Sequence, residues 1–356
     1  MTSQNPITHA NESLKGSALS VDHTHYAALD GLRGVAALLV VVFHAGPFFG
    51  KIVPGGYLAV DMFFVLSGFV IEHAYGQRLR DNLGVWGFTK LRLIRFYPLY
   101  LAGLLAGVAL ELLLHFMHAK NSISLDVIAI QFSFAALFVP AVFEADAFPL
   151  NIPAWSLFFE LLVNVLYALF APRLKTAALV LVAAVSLLIF GLYIALGSGQ
   201  MPGPQVHDMP MAFLRTVFSF TVGVLVYRYR RPFSIDPGVF LLAICFLFLL
   251  PLPQEYRKAF DLICIAIVLP AIVWVAAGGE PRIFKSGFAV LGAISYGIYA
   301  IHYPLIWLVR GFADRLKLPM APVGVGMLLA LVVVCYWLDK YYDQPVRGWL
   351  KRKLTS

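Results

Sequence analysis

Residues 29–46 read LDGLRGVAALLVVVFHAG, a run apolar enough to enter a bilayer that nevertheless carries two residues a bilayer penalises. Arg33 and His44 lie eleven positions apart. At 3.6 residues per turn that is three turns, so the two share a helical face within about 20° and stand about 16 Å apart along the axis. Arginine is among the costliest side chains to place in hydrocarbon, and an ionisable residue there marks a functional site by default. Two readings stay open. Either Arg33 snorkels at one rim while His44 sits at the other interface, or both line a polar seam, with phosphate-binding charge at one end and proton transfer at the other.

The rest of the chain has the same character. Of its 356 residues 60% are hydrophobic and 13% charged, and the mean hydropathy is +0.81. Soluble domains are about a quarter charged. The chain therefore reads as an all-α polytopic membrane protein, because helices satisfy their own backbone groups in lipid. Residues 1–25 are polar and read as a disordered cytoplasmic leader, 26–347 as one membrane-embedded domain, and 348–356 as a basic cytoplasmic tail. The first span lacks a basic n-region and a small-residue cleavage site, so it is read as a retained helix rather than a signal peptide. Cys245, Cys264 and Cys335 sit far apart inside apolar runs and read as small core residues, with neither a disulfide framework nor a metal site.

The net charge of +8 would suggest nucleic acid in a soluble protein. Here the basic residues fall between apolar runs, which is the positive-inside pattern, and no nucleic-acid partner is expected. Eleven apolar stretches lie between residues 29 and 339. Eleven crossings would export both the RYRR cluster at 228–231 and the basic C-terminus, against that rule. The conflict disappears if 126–143 does not cross, since that stretch is short, holds Gln131 and runs into Pro140, Glu144 and Asp146. The prediction is about ten transmembrane helices plus one re-entrant or peripheral segment, with both termini cytoplasmic. Gly103 and Gly107 are spaced for close helix contact, and Ser67-Gly68 reads as a packing pair.

Four further segments carry polar residues in register. GGYLAVDMFFVLSGFVIEHAY (55–75) places Asp61, Gly68 and Glu72 on one face. Asp61 needs a partner, for which Arg33 or His44 is expected, or else it is interfacial; Glu72 and His73 read as interfacial. KLRLIRFYPLY (90–100) brings Arg92 and Arg95 together as topogenic charge or as a phosphate clamp. NIPAWSLFFELLVNVLYALF (151–170) sets Ser156, Glu160, Asn164 and Tyr167 along one stripe, with Glu160 inside hydrocarbon. GAISYGIYAIHYPLIWL (292–308) aligns Ser295, Tyr299 and His302; a mid-span histidine could equally bond only to a neighbouring carbonyl. A phosphate-cradling glycine loop, a metal-ligand cluster and a Ser-His-Asp set are all absent.

These segments together resemble, in order, those of the acyltransferase 3 family of integral membrane O-acyltransferases, over about residues 26–347. LDGLRGVAALLVVVFH looks like that family's arginine–ten residues–histidine signature, and VDMFFVLSGFVI, RLIRFYPLY, NIPAWSLFFE and ISYGIYAIHYPL look like its later segments. One departure is Asp343-Gln344-Pro345-Val346-Arg347, where the family often has glutamate first. The resemblance implies acyl transfer, chiefly of acetyl, from cytosolic acyl-CoA as co-substrate to a hydroxyl of a cell-surface or lipid-linked glycan in the bacterial cytoplasmic membrane. No permanently bound cofactor is implied. A lipid or a secreted small metabolite is the alternative acceptor, and a proton-coupled secondary transporter the rival of another class.

In this reading the coenzyme's phosphates stay near Arg33, Arg92 and Arg95. Its slim arm runs up the seam to His44, which serves as general base because an imidazole pKa near ~6.5 suits proton removal at neutral pH. An acyl-histidine intermediate is the competing version. Asp61 or Glu160 could orient the imidazole, and Ser295, Tyr299 and His302 are candidate oxyanion donors or acceptor contacts.

Overall fold

The computed structural model describes residues 26–120, 122–197, 201–232, 236, 244, 245, 247–279 and 285–354. The expected leader and half of the expected span 237–252 lie outside the described residues. Apolar helices dominate: α1 (Ala27–His44), α2 (Ala59–Asp81), α3 (Val85–Phe116), α4 (Leu125–Ala136), α5 (Ala154–Phe170), α6 (Thr176–Leu196) and α7 (Met209–Arg228). Helix α8 joins Gln254–Ile263 to Leu269–Ala277 through a π-turn at Cys264–Val268. Helix α9 is Lys285–Arg315, and α10 joins Met320–Leu338 to Gln344–Leu354 through a second π-turn at Asp339–Asp343.

Among the described residues eight helices are long and apolar enough to cross a membrane, and the chain is a multi-pass membrane protein. Of the ten expected spans, these account for eight; a ninth, α5, is apolar but only 17 residues long. Helix α4 is 12 residues long, too short for the roughly 20 residues a crossing needs. Its neighbours show that the chain returns here to the face it left. Late in α3, Gly107 packs against the Leu150 carbonyl, just ahead of the start of α5. Backbone bonds from Ala147 N–H to Pro204 O and from Val206 N–H to Ala145 O tie this connection to the one between α6 and α7.

Prolines shape the irregular turns. Pro270 and Pro345 each follow a π-turn by two positions. A helical proline lacks an N–H and its ring crowds the carbonyl four residues back, and a local switch to wider hydrogen bonding relieves that conflict. Pro304 deprives the Ala300 carbonyl of its helical donor in the same way, and Asn151 Nδ2 donates to it at 2.9 Å. That bond pins α9 to the start of α5.

Small residues set the tightest crossings. α1 and α9 run parallel, with Gly31 against Phe288 and Gly34 against Leu291. Gly68 of α2 faces the Phe220 carbonyl, and Gly223 of α7 faces that of Val65, so each backbone rests where the other lacks a side chain. Any Cβ at Gly68 would strike backbone that cannot swing aside. Gly68→Val is expected to lower stability by about 2 kcal/mol or more, in the range of overpacking, whereas Gly311→Ala, with nothing within 4 Å, should be neutral or stabilising by up to about 1 kcal/mol. Thermal unfolding of the purified variants, followed by the loss of the monodisperse peak, checks both.

Candidate active site

Helix α1 carries Arg33 near one end of the site and His44 near the other, and α9 follows it with a partner at each. At the first end Arg33 Nε donates to Ser295 Oγ at 3.2 Å, and Nη2 donates to Asp30 Oδ1 at 2.5 Å and to the Gly292 carbonyl at 3.3 Å. Ser295 Oγ spends its own hydrogen on the Gly292 carbonyl at 2.7 Å, so it supports Arg33 and has no hydrogen left for an oxyanion.

Arg33 shares a narrow cavity of about 140 Å³ with Arg92, Arg95, Glu160, Ser156, Ser295 and Tyr299. Arg92 Nη2 lies 3.5 Å from Glu160 Oε1, and its guanidinium sits 4.5 Å over the Phe96 ring. Arg95 Nη1 lies 3.5 Å from Asp343 Oδ2, and Arg347 Nη2 closes on the same oxygen at 2.9 Å. The shorter carboxylate of that segment thus anchors the second arginine from the π-turn of α10. Arg92 Nε is nonetheless buried without a hydrogen-bond partner among the described residues, and Arg95 Nη1 has only the long ion pair to Asp343. Unspent guanidinium donors in a cavity are what an anionic ligand would use.

At the other end His44 lines a wider cavity of about 830 Å³, walled by Trp155, Tyr303 and Trp307 and by Tyr57, Arg257 and Asp261. Its Nδ1 lies 3.0 Å from Nε2 of His302, while His302 Nδ1 lies 2.7 Å from the Tyr299 carbonyl and 3.2 Å from that of Ile298. Carbonyls only accept, so His302 Nδ1 carries a hydrogen. Neutral His302 then presents a lone pair at Nε2, His44 Nδ1 must donate to it, and His44 Nε2 keeps its lone pair for the cavity. His302 has no N–H left to give an oxyanion. The ring expected among the oxyanion donors is instead the partner that orients His44.

The two cavities are distinct. They meet at Val60 and Tyr299, which line both. Between Arg33 and His44, where a single seam is expected, there are thus two adjoining cavities that share Tyr299, which is held in place. Its hydroxyl lies 2.5 Å from Ser156 Oγ and 3.2 Å from the Pro153 carbonyl. Of the three expected oxyanion donors, Tyr299 alone places a hydroxyl at the junction, and its one hydrogen goes to the Pro153 carbonyl or to Ser156 Oγ.

Neither expected carboxylate reaches His44. Asp61, fully buried, takes Arg215 Nε at 2.8 Å and Nη2 at 2.5 Å. Arg215 also donates to the Pro202 and Tyr57 carbonyls. Glu160 is turned to Arg92 at the opposite end. Glu72, expected at an interface, is buried and binds Arg80, Arg228 and Tyr167, locking α2, α5 and α7. Arg215 escaped the sequence reading although an arginine within FLRTVFSF (213–220) is the same signal that singled out Arg33; Asp261 in AFDLICIAI (259–267) is a second such case. Among the described residues no group of three or more His, Cys, Asp or Glu side chains is placed to hold a metal ion.

The sequence profile of a family described as an acyltransferase domain matches residues 26–340. Protein 2 in the picA locus of Rhizobium radiobacter is 42% identical over 175 residues, which are 46% of this chain and 92% of that protein. The peptidoglycan O-acetyltransferase OatA of Listeria monocytogenes is 26% identical over 90% of this chain and 55% of its own length. The O-acetyltransferase OatA of Staphylococcus aureus is 22% identical over 90% and 57%. The chain thus spans little more than half the length of these two acetyltransferases. No solved structure matches the chain.

Removing one member of the Asp61–Arg215 pair would strand a buried charge. Asp61→Leu alone is expected to cost about 3–5 kcal/mol, as for other broken buried pairs, and Asp61→Leu with Arg215→Leu to recover most of it. A double-mutant cycle on thermal unfolding measures the difference.

Proposed function

The chain belongs to this acyltransferase family, and from that membership we propose a membrane O-acyltransferase that moves an acyl group, acetyl first among candidates, from acyl-CoA to a hydroxyl of an extracytoplasmic or membrane-linked glycan. The coenzyme's phosphates are held at the cytoplasmic face by Arg33, Arg92 and Arg95. The thioester reaches the Tyr299 junction through the narrow cavity, and the acceptor occupies the wide cavity that opens on His44. Two relatives named as O-acetyltransferases, one of them of peptidoglycan, support the acceptor class.

The observation that carries the reading is His44 with Nδ1 committed to His302, facing a cavity that abuts an arginine-lined one. His44 Nε2 takes the proton of the acceptor hydroxyl as its oxygen bonds to the thioester carbonyl carbon. The Tyr299 hydroxyl, turning from the Pro153 carbonyl it meets at 3.2 Å, donates to the oxygen that becomes negative. The C–S bond then breaks, the proton passes from His44 to the departing sulfur, and the products are an ester and free CoA. Because Nδ1–H donates to a ring lone pair, His302 is a positioning residue, analogous in role to the third member of a triad.

In proteoliposomes supplied with labelled acetyl-CoA and a glycan acceptor, His44→Ala is expected to abolish label transfer. His302→Phe should lower kcat by about 10²–10⁴ with the KM for acetyl-CoA unchanged. Arg92→Ala and Arg95→Ala should instead raise that KM by about 10-fold or more, since each removes a charge-assisted contact. Wild-type protein indifferent to CoA, or His44→Ala transferring normally, would overturn the proposal.

A further inference from the structure

The wide cavity holds polar groups that the transfer chemistry does not use. Asp261 is 1% exposed. Its Oδ2 accepts from the Tyr57 hydroxyl at 2.5 Å, while its Oδ1 is buried without a hydrogen-bond partner. Arg257, one helical turn before it on α8, has a buried Nη1 in the same condition. Its guanidinium rests 6.0 Å from the Tyr57 ring and 5.8 Å from that of Phe260. A buried carboxylate oxygen and a buried guanidinium nitrogen, both unspent, cost free energy unless something completes them. Both residues belong to the wall of the cavity that His44 faces.

The composition of that wall narrows what would complete them. Trp155 and Trp307 are part of it, and an indole ring suits the apolar C–H face of a sugar ring. Asp261 accepts and Arg257 donates, so the pair matches a group that both gives and takes hydrogen bonds. A ring hydroxyl does this, as does an acetamide, whereas an aliphatic chain offers neither. Resting on the proposed acyl transfer to a glycan, we propose that Asp261 and Arg257 form the acceptor subsite, reading the ring substituent beside the hydroxyl that His44 deprotonates. Tyr57 positions the carboxylate. The subsite selects a pyranose over a simple alcohol or a lipid, and is built on α8, away from the donor's arginines.

The test is binding without chemistry. Purified full-length protein is titrated with short cello-oligosaccharides, whose rings carry a hydroxyl at the position in question, with chito-oligosaccharides, which carry an acetamide there, and with 1-octanol, followed by tryptophan fluorescence and calorimetry. Saturable binding of at least one sugar is expected, weakened about 10-fold or more by Asp261→Asn and by Arg257→Gln, as for the loss of a hydrogen bond to a charged group. The amide oxygen introduced by Asp261→Asn can still accept from Tyr57, so folding is preserved, and an unchanged monodisperse profile verifies it. No saturable sugar binding, equal affinity for 1-octanol, or affinities that neither substitution moves would overturn the proposal. Sugar binding of the expected pattern without any CoA-dependent transfer would sink the proposed reaction and leave the subsite standing. Intact transfer with an acceptor KM insensitive to both substitutions would sink the subsite alone.

Discussion

The parallel contact between α1 and α9 is the constraint on which the site depends. Glycines at 31, 34 and 292 let the two backbones approach until side chains from both helices meet at each end. At one end the approach joins Arg33 to Ser295 and the Gly292 carbonyl, and at the other it joins His44 to His302. One rigid pair thus fixes both the cation that faces the narrow cavity and the imidazole that faces the wide one. Bulkier residues at the three glycines would hold the helices apart, leaving Arg33 only Asp30 of its own helix and taking His302 from His44.

Around that pair, the buried charges serve architecture as much as chemistry. Glu72 draws together arginines from α2 and α7 with Tyr167 from α5, and Asp61 with Arg215 ties α2 to α7, while Arg215 also reaches the Pro202 carbonyl. In hydrocarbon such pairs have no alternative partner in water, so each fixes the register of the helices it links. This explains why Asp61 does not orient His44: a fully buried guanidinium on α7 outcompetes a neutral ring for a carboxylate. The imidazole is oriented by another imidazole, which requires no ion at the junction.

The division into two cavities has its own physical logic. A continuous polar channel across a bilayer would leak water and hydrolyse a thioester before an acceptor arrived. Tyr299, bonded to Ser156 and to the Pro153 carbonyl, fills the junction with a side chain whose hydroxyl also suits the reaction. Pro304 within α9 leaves the Ala300 carbonyl free for Asn151, and the Pro153 carbonyl at the head of α5 accepts from Tyr299, so the entry to α5 is tied to α9 at two points.

The amino-acid sequence determined the class of this protein by itself. Long apolar runs allow only helices in a bilayer, the shortness and polar residues of 126–143 marked it as the stretch that does not cross, and an arginine eleven positions from a histidine placed both on one face, because helical periodicity is local. It also singled out Arg33, His44, Glu160, Arg92, Arg95 and the stripe from Ser295 to His302, since charge in hydrocarbon is conspicuous wherever it occurs. What it could not supply was who meets whom. That His302 rather than a carboxylate holds His44, that Arg215 claims Asp61, that Asp343 anchors Arg95 and that Tyr299 is shared by two adjoining cavities are contacts between helices far apart in the chain. Only the packing of those helices decides them, because spacing along one helix fixes a face and is silent about the face opposite.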